Sequence, residues 1–219
     1  MNSATPLGLE STSLMSHAIP TVFVVDDDIS VRESLELLIR CAGWRPRTFA
    51  SAAEFLSHAS VLVPSCLVLD LSLPDLSGLD MQKRIIADRI DMPIIFITCC
   101  GDVATAVQAM KAGAVEFLNK PLGDEELLDA IRQAIERSHA SLRREAQMRS
   151  LRDRYASLSP REREVMAWVV CGRMNKHIGM LLNISEITVK AHRGKVMRKM
   201  YADSLAELVN MAARLRLGT

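Results

Sequence analysis

Short apolar runs that alternate with amphipathic stretches constrain the fold of residues 21–123 more than any other feature. The runs are rich in β-branched residues, and they lie at Thr21–Val25, Arg47–Phe49 (the weakest), Cys66–Leu69, Pro93–Thr98 and Val115–Leu118. Runs this continuously apolar are typical of parallel strands that are covered on both faces. Helical patterns follow at about 29–42, 51–58, 77–88 and 102–112. The alternation predicts a doubly wound α/β domain.

Residues 124–155 contain neither glycine nor proline, and their apolar positions keep a helical spacing that loosens in the second half. We interpret them as one long helix that begins as the last helix of the α/β domain and continues as a linker. A helix that ends near residues 138–141 and is followed by flexible chain is the alternative.

Residues 156–219 carry only helical signals. Ser159, Pro160 and Glu162 supply an N-cap, a first-turn proline and a capping glutamate for a helix that runs to about Cys171. Three more helices are expected at about 175–182, 186–200 and 204–216. The domains expected from these patterns are a flexible tail at 1–20, an α/β core at 21–123, a linking helix at 124–155 and an all-α domain at 156–219.

Charge is divided unevenly between these domains. Residues 1–123 hold 9 basic and 14 acidic residues, whereas residues 156–219 hold 11 and 5. We therefore expect only the C-terminal domain to meet a polyanion. No apolar run approaches the ~18 residues of a membrane span, and the first twenty residues lack the pattern of a signal peptide. The expected location is the cytoplasm, with no membrane partner.

Ionisable and hydroxyl side chains stand where the predicted strands end. Asp26 and Asp27 follow the first strand, Asp70 follows the third, Thr98 ends the fourth and Lys120 follows the fifth. Carboxyl ends of parallel strands meet at one edge of the sheet, so these side chains should converge. Clustered carboxylates need a cation, and Mg²⁺ prefers such oxygen ligands together with phosphate. A carboxylate can also accept a phosphoryl group, which needs charge neutralisation more than proton chemistry.

Four segments in this order resemble the receiver domain of bacterial response regulators: Val22–Asp28, Leu67–Pro74, Ile95–Thr98 and Phe117–Pro121. The resemblance covers about residues 20–138 and implies a flavodoxin-like (βα)5 receiver. It makes Asp70 the residue that a sensor histidine kinase phosphorylates. It also implies that Mg²⁺ is held by Asp26, Asp27, Asp70 and the backbone carbonyl of Ser72.

The same resemblance assigns the phosphate-contacting and switch residues. Thr98 is expected to supply the switch hydroxyl, Phe117 the switch aromatic and Lys120 the phosphate-binding amine, followed by a cis Pro121. Cys99 departs from the family, which usually has alanine or glycine at this position. Its larger side chain is expected to slow access to the phosphate without removing an essential group.

Basic residues are concentrated in the third helix of the C-terminal domain. Five lie between Lys190 and Lys199, and Glu186 alone offsets them. At 100° per residue, one face of this helix is formed by Val189, His192, Val196 and Met200, and it should pack on the core. The opposite, basic face is typical of a recognition helix in the major groove of DNA. A solvated amphipathic helix is the alternative interpretation.

Three C-terminal segments resemble the LuxR-type helix-turn-helix: Leu158–Val165, Asn175–Ile178 and Leu182–His192. The resemblance covers about residues 156–217, and together with the receiver it indicates the NarL/FixJ family of transcription regulators. It implies base contacts by Lys190, Ala191 and Gly194. It implies further DNA contacts, mainly to phosphates, by Thr188, Arg193, Lys195, Arg198 and Lys199.

Three positions depart from the family pattern in this domain. His177 replaces the usual glutamate, Gly179 the usual alanine and Lys195 a common asparagine. By helix propensity alone, Gly179 should weaken its helix by roughly 1 kcal/mol relative to alanine.

The combined hypothesis is a transcription factor that is controlled by phosphorylation and is not an enzyme. Phosphorylated Asp70 would reshape the face formed by residues 102–112, 115–118 and 124–138, and two copies would pair there. A dimer places two recognition helices ~34 Å apart, one DNA turn. The resemblance adds promoter DNA and RNA polymerase as partners, with activation as the expected effect.

Two other hypotheses stay open at this stage. The α/β domain would be a constitutive dimerisation module if Asp70 were never phosphorylated. Alternatively, the protein would be a phosphatase with an aspartyl nucleophile. That chemistry needs a second acid near Asp70, and Leu71 and Ser72 offer none.

Overall fold

The computed structural model describes residues 18–58, 63–88, 92–99 and 102–217. The chain divides into two compact units, Met1–Arg143 and Arg144–Thr219. Most of the expected N-terminal tail, residues 1–17, lies outside the described residues.

The N-terminal unit is built on a five-stranded parallel sheet with the strand order β2-β1-β3-β4-β5. The strands are β1 (Thr21–Val25), β2 (Arg45–Phe49), β3 (Ser65–Asp70), β4 (Ile94–Thr98) and β5 (Glu116–Asn119). The five predicted strands are confirmed. The second is weakly apolar because it is an edge strand, on which the side chains of Arg45 and Arg47 are exposed. Charges on an edge also oppose pairing with another chain.

Helices cover both faces of this sheet, as the apolar strands predict. They are α1 (Ile29–Cys41), α2 (Ala52–Ser57), α3 (Gly78–Asp88), α4 (Val103–Lys111) and α5 (Asp124–Ala156). One core lies between the sheet and helices α1 and α5, which contribute Ile39 and Ile131. The other lies between the sheet and helices α2 to α4, which contribute Phe55, Met81 and Ala109.

Helix α5 is continuous from Asp124 to Ala156, so the alternative end near residues 138–141 is not observed. Leu127 is buried in the N-terminal unit, and Leu151 is buried in the core of the C-terminal unit. The Ser138 hydroxyl still accepts a hydrogen bond from the amide of Ser65 at 3.0 Å. Within the described residues, no helix combines the length and the apolar character that a membrane span requires.

The C-terminal unit contains the four predicted helices, packed with the last turns of α5. They are α6 (Pro160–Val170), α7 (Asn175–Leu182), α8 (Glu186–Met200) and α9 (Leu205–Arg214). The predicted capping box is present: the Ser159 hydroxyl accepts from the Glu162 amide, and the Glu162 carboxylate accepts from the Ser159 amide at 2.8 Å. The left-handed conformation of Asn183 (φ 54°) ends α7 and begins the turn into α8.

Gly179 shows why helix propensity alone misjudges this turn. A Cβ at position 179 would lie 2.7 Å from the carbonyl oxygen of Ile184, so the backbone would have to shift to admit alanine. The expected advantage of alanine is therefore opposed by a steric clash. Gly194 differs, because a Cβ there would meet nothing within 4 Å.

Candidate functional site

Three carboxylates converge at the carboxyl edge of the sheet. Strands β1 and β3 are neighbours, and the side-chain oxygens of Asp26, Asp27 and Asp70 lie within 4.8 Å of one another. Asp26 and Asp70 are buried, whereas Asp27 is exposed. The cluster is therefore open to solvent on the side of Asp27, and it is closed behind Asp26.

Lys120 lies between the two buried acids. Its Nζ is 2.7 Å from Oδ2 of Asp26 and 2.9 Å from Oδ2 of Asp70. Burial raises the pKa of Asp26 by more than its hydrogen bonds to Lys120 and to the Asp28 amide lower it. Burial by itself would lower the pKa of Lys120, but the hydrogen bonds to both carboxylates outweigh it and raise that pKa. The site thus has three acids for one lysine.

The loop after β1 is held by its own polar groups. The amide of Asp28 donates to Oδ1 of Asp26 at 2.9 Å, and the Asp28 carboxylate caps α1 at the amide of Ser30. The Arg32 guanidinium donates to the backbone carbonyls of Asp26 and Asp27 at 2.7 and 2.9 Å. Sequence reasoning missed Arg32, although a cation one helical turn after an acidic run was a usable signal.

The loop after β3 is held at both of its ends. Oδ1 of Asp70 accepts a hydrogen bond from the amide of Ser72 at 3.0 Å. Further on, the carboxylate of Asp75 accepts from two backbone amides at the start of α2, at 3.0 and 3.3 Å. A Cβ on Gly78 would lie 2.9 Å from the carbonyl oxygen of Asp70, so α3 can begin this close to β3 only with glycine. Sequence reasoning missed both Asp75 and Gly78.

The expected switch residues lie on the two strands next to Asp70. Thr98 is buried at the end of β4, and its carbonyl accepts from the Lys120 amide at 2.7 Å. Phe117 on β5 is half-buried, with its ring centroid 6.3 Å from that of Phe96. The peptide bond between Lys120 and Pro121 is cis, as expected. Cys99 is exposed.

The donor atoms of this cluster fit a hard divalent cation. They are all carboxylate oxygens, and an exposed Asp27 leaves a path to solvent. Such a set suits Mg²⁺, which binds through one or two carboxylates and keeps waters or phosphate oxygens as its other ligands.

The C-terminal unit presents α8 with one face buried. Val189, Val196 and Met200 are buried, and His192 is half-buried, which agrees with the predicted stripe. Of the residues expected to contact DNA, the exposed ones are Lys190, Ala191, Gly194, Lys195 and Arg198. The half-buried ones are Thr188, Arg193 and Lys199.

The half-buried residues have partners within the protein. Nζ of Lys199 is 2.7 Å from Oε2 of the buried Glu162 and 3.1 Å from the carbonyl of Ser157. The hydrogen bond from Lys199, followed by that from the Ser159 amide, lowers the pKa of Glu162. The guanidinium of Arg193 lies 3.4 Å from the side-chain oxygen of Asn175 on α7. Lys199 therefore joins α8 to the start of α6.

Two family descriptions match the chain. Residues 22–132 match the response regulator receiver domain, and residues 156–212 match the bacterial regulatory proteins of the luxR family. Both matches fall on the units described above.

Relatives extend this similarity over nearly the whole chain. Nodulation protein W of Bradyrhizobium diazoefficiens is 51% identical over 89% of this chain and 86% of its own length. Transcriptional regulatory protein FixJ of the same organism is 42% identical over 88% of this chain and 94% of its own. The solved structure of response regulator StyR has a TM-score of 0.81 and 44% identity, and it covers 90% of this chain and 100% of its own.

Proposed function

Because the chain belongs to the response-regulator family, with a receiver domain and a LuxR-type DNA-binding domain, we propose that phosphorylation of Asp70 controls its binding to promoter DNA. The observation that carries this proposal is the pair of buried carboxylates, Asp26 and Asp70, that share the half-buried Lys120, with Asp27 at the open side of the cluster. A structural ion pair would need one acid for the lysine, whereas this site holds excess negative charge.

The phosphoryl donor is a phosphohistidine of a sensor histidine kinase. A carboxylate oxygen of Asp70 attacks the phosphorus, and the bond between phosphorus and the histidine nitrogen breaks. The electron pair of that bond leaves with the imidazole, which takes up a proton. Lys120 is within reach of Asp70, at 2.9 Å, and is placed to stabilise the negative oxygens of the transferred group.

Asp26, Asp27 and Asp70 are the side chains that would hold Mg²⁺. The resemblance to receiver domains adds the backbone carbonyl of Ser72 as a fourth ligand. When bound, the ion neutralises charge on the phosphoryl oxygens. As a ligand of this ion, Asp26 would act from a buried position, where the Asp28 amide bonds one of its carboxylate oxygens and Lys120 bonds the other.

The phosphoryl group adds roughly −1.5 to −2 charge next to Thr98, whose hydroxyl then hydrogen-bonds it. We expect Phe117 to repack and the face of α4, β5 and the first half of α5 to change. Helix α4 exposes three apolar side chains: Val103, Val107 and Met110. Two phosphorylated copies bury these side chains against each other and form the homodimer.

The dimer binds promoter DNA through two copies of α8. The exposed set Lys190, Ala191, Gly194, Lys195 and Arg198 faces the major groove, and Thr188, Arg193 and Lys199 flank it. Doubling the phosphate contacts raises affinity and steepens its dependence on salt. We place the protein in the cytoplasm and propose that it activates transcription through RNA polymerase, without enzymatic turnover of its own.

Intact-mass measurement tests this proposal directly. The full chain is incubated with a small phosphodonor and Mg²⁺, beside D70N and D75N. We expect one added phosphoryl group in the wild type and in D75N, because Asp75 lies in the same loop but only caps α2. D70N should stay unmodified. A labelled D70N would mean that another residue is the acceptor, and a D70N that binds DNA like the phosphorylated wild type would favour constitutive dimerisation.

A further inference from the structure

Ile187 is the feature of the DNA-binding unit that the proposed contacts leave unexplained. It lies in the first turn of α8, and 79% of its surface is exposed. A β-branched side chain gains little from a helix, and an isoleucine gains nothing from water. Because single exposed apolar residues are common on protein surfaces, the surroundings of Ile187 decide whether a partner covers it.

The helical position of Ile187 is the centre of the exposed face. At 100° per residue, it lies directly opposite the buried Val196. Gly194 and Arg198 are within about 20° of Ile187 by the same geometry. Lys190 and Lys195 flank this strip on its two sides and are exposed. An apolar side chain thus stands in the middle of a basic surface.

The neighbours of Ile187 on this face allow close approach of another molecule. Ala191, one turn further along, is small and exposed, and a Cβ on Gly194 would meet nothing within 4 Å. The backbone of α8 can therefore come near a surface that Ile187 touches. The surrounding cations complement a polyanion, which favours DNA over a protein as that surface.

On the basis of the proposed DNA-binding function, we propose that Ile187 is a specificity-determining residue that packs against the 5-methyl group of a thymine in the major groove. The thymine methyl is the one apolar group that a base pair presents there, and aliphatic side chains recognise it by contact. Residues near the N-terminus of a recognition helix are the ones that reach base edges. Ile187 reads this methyl between Lys190, which is expected to contact a base, and Lys195, which is expected to contact a phosphate.

Site selection followed by removal of single methyl groups tests the proposal. The full chain, treated with a small phosphodonor and Mg²⁺, selects its sites from a random duplex library. Each thymine of the selected site is then replaced by deoxyuridine, which lacks only the 5-methyl group. We expect wild-type affinity to fall about fourfold at one position of each half-site, the effect of exposing one methyl-sized group.

I187A should bind the selected site more weakly and should be indifferent to deoxyuridine at that position. M180A is the matched control, because Met180 is also an exposed apolar residue but lies on α7. It should keep the wild-type response to deoxyuridine. Thermal unfolding of I187A should match the wild type, since its side chain packs on no core.

The remaining outcomes separate this inference from the proposed function. A wild type that enriches no sequence would count against DNA binding and would overturn both. If the wild type selects a site and I187A keeps the same methyl response, Ile187 does not contact the thymine methyl group and the inference is wrong. A site at which no thymine responds in the wild type would also overturn the inference.

Discussion

Each unit of the molecule contains a lysine bonded to a buried carboxylate, but the two clusters are balanced differently. Lys120 is shared by Asp26 and Asp70, with a third acid beside them. Among the described residues, Glu162 is the one carboxylate that Lys199 meets, and the other hydrogen bonds of that carboxylate come from the capping box at Ser159. The first cluster carries excess negative charge, whereas the carboxylate of the second is neutralised by its lysine and hydrogen-bonded within the capping box.

The pKa directions express the same difference. Burial raises the pKa of Asp26 despite its lysine, whereas the hydrogen bond from Lys199 leads the contacts that lower the pKa of Glu162. A buried acid whose partners do not compensate it is available for a cation or a phosphoryl group. A buried acid that is fully compensated holds helices together. The lysine alone does not distinguish the two roles, and the count of acids around it does.

The largest effect is expected at Lys120. K120M leaves Asp26 and Asp70 without a cation, and it should lower the free energy of unfolding of the N-terminal unit by about 3 kcal/mol in Mg²⁺-free buffer. Added Mg²⁺ should restore part of this loss, because the proposed ion would bind the folded site and not the unfolded chain. Urea unfolding followed through Trp44, in a W168F background, measures it. K111M, which removes an exposed lysine of α4, is the control. If Mg²⁺ did not reduce this loss, the cluster around Lys120 would not be a cation site and would not differ from the structural cluster around Lys199.

Lys199 should behave as a structural lysine. K199M should lower the free energy of unfolding of the C-terminal unit by about 2 kcal/mol, less than K120M because Lys199 is partly exposed. Trp168 fluorescence in a W44F background reports on this unit, whose core Trp168 contacts. The plot of log affinity for DNA against log salt should keep its wild-type slope.

K195M supplies the contrast on the same helix. Lys195 is exposed, so its loss should leave stability unchanged. It should reduce the salt slope of the dimer by about 1.8, which is about 0.9 for each of the two lost phosphate contacts. If K199M reduced the slope as K195M does, Lys199 would be a DNA contact, as the family resemblance implies, rather than a structural residue.

Acid should act on the C-terminal unit through Glu162. Because its pKa in the folded protein lies below the ordinary value of 4.5, its contribution to stability is present above pH 4.5 and is lost as the pH falls through the lowered pKa. Asp26 should have the opposite effect in Mg²⁺-free buffer. Because its pKa is raised, the free energy of unfolding of the N-terminal unit should fall as the pH rises through that pKa. Unfolding at a series of pH values, read through each tryptophan separately, checks both signs. E162Q should abolish this part of the acid dependence, and an unchanged profile would contradict the assignment.

The smallest effect is expected from adding a methyl group at the two glycines of the C-terminal helices. G194A should stabilise it by about 1 kcal/mol, because the helix gains propensity and a Cβ meets nothing. G179A should give no gain, since its Cβ would contact the carbonyl of Ile184. Urea midpoints of the two variants, read through Trp168, provide the measurement. If G179A and G194A stabilised the unit equally, the backbone of the turn after α7 would be able to move away from the new Cβ at little energetic cost.

Much of the fold followed from periodicity and local chemistry. The apolar runs predicted the five strands, and Ser159 with Glu162 predicted the capping box, because the apolar pattern of a strand and the hydrogen bonds of a cap involve only a few neighbouring residues. The acidic cluster followed from one rule of topology, which brings the carboxyl ends of neighbouring strands together. Arg32, Asp75 and Gly78 were missed because their partners are backbone atoms of turns whose geometry no spacing reveals.

The sequence alone therefore established the two units, the order of their elements and the chemical type of each candidate site. The tertiary structure decided what individual charged residues do. Lys199 and Arg198 are adjacent and equally basic in the sequence, yet within the part of the chain that the structure describes, Lys199 and not Arg198 meets a buried carboxylate, 37 residues away. The angular position of Ile187, opposite Val196, follows from the helical period, but its 79% exposure was established by the structure. Charge and size are local properties of a residue, whereas exposure and partnership depend on atoms that the fold brings from elsewhere.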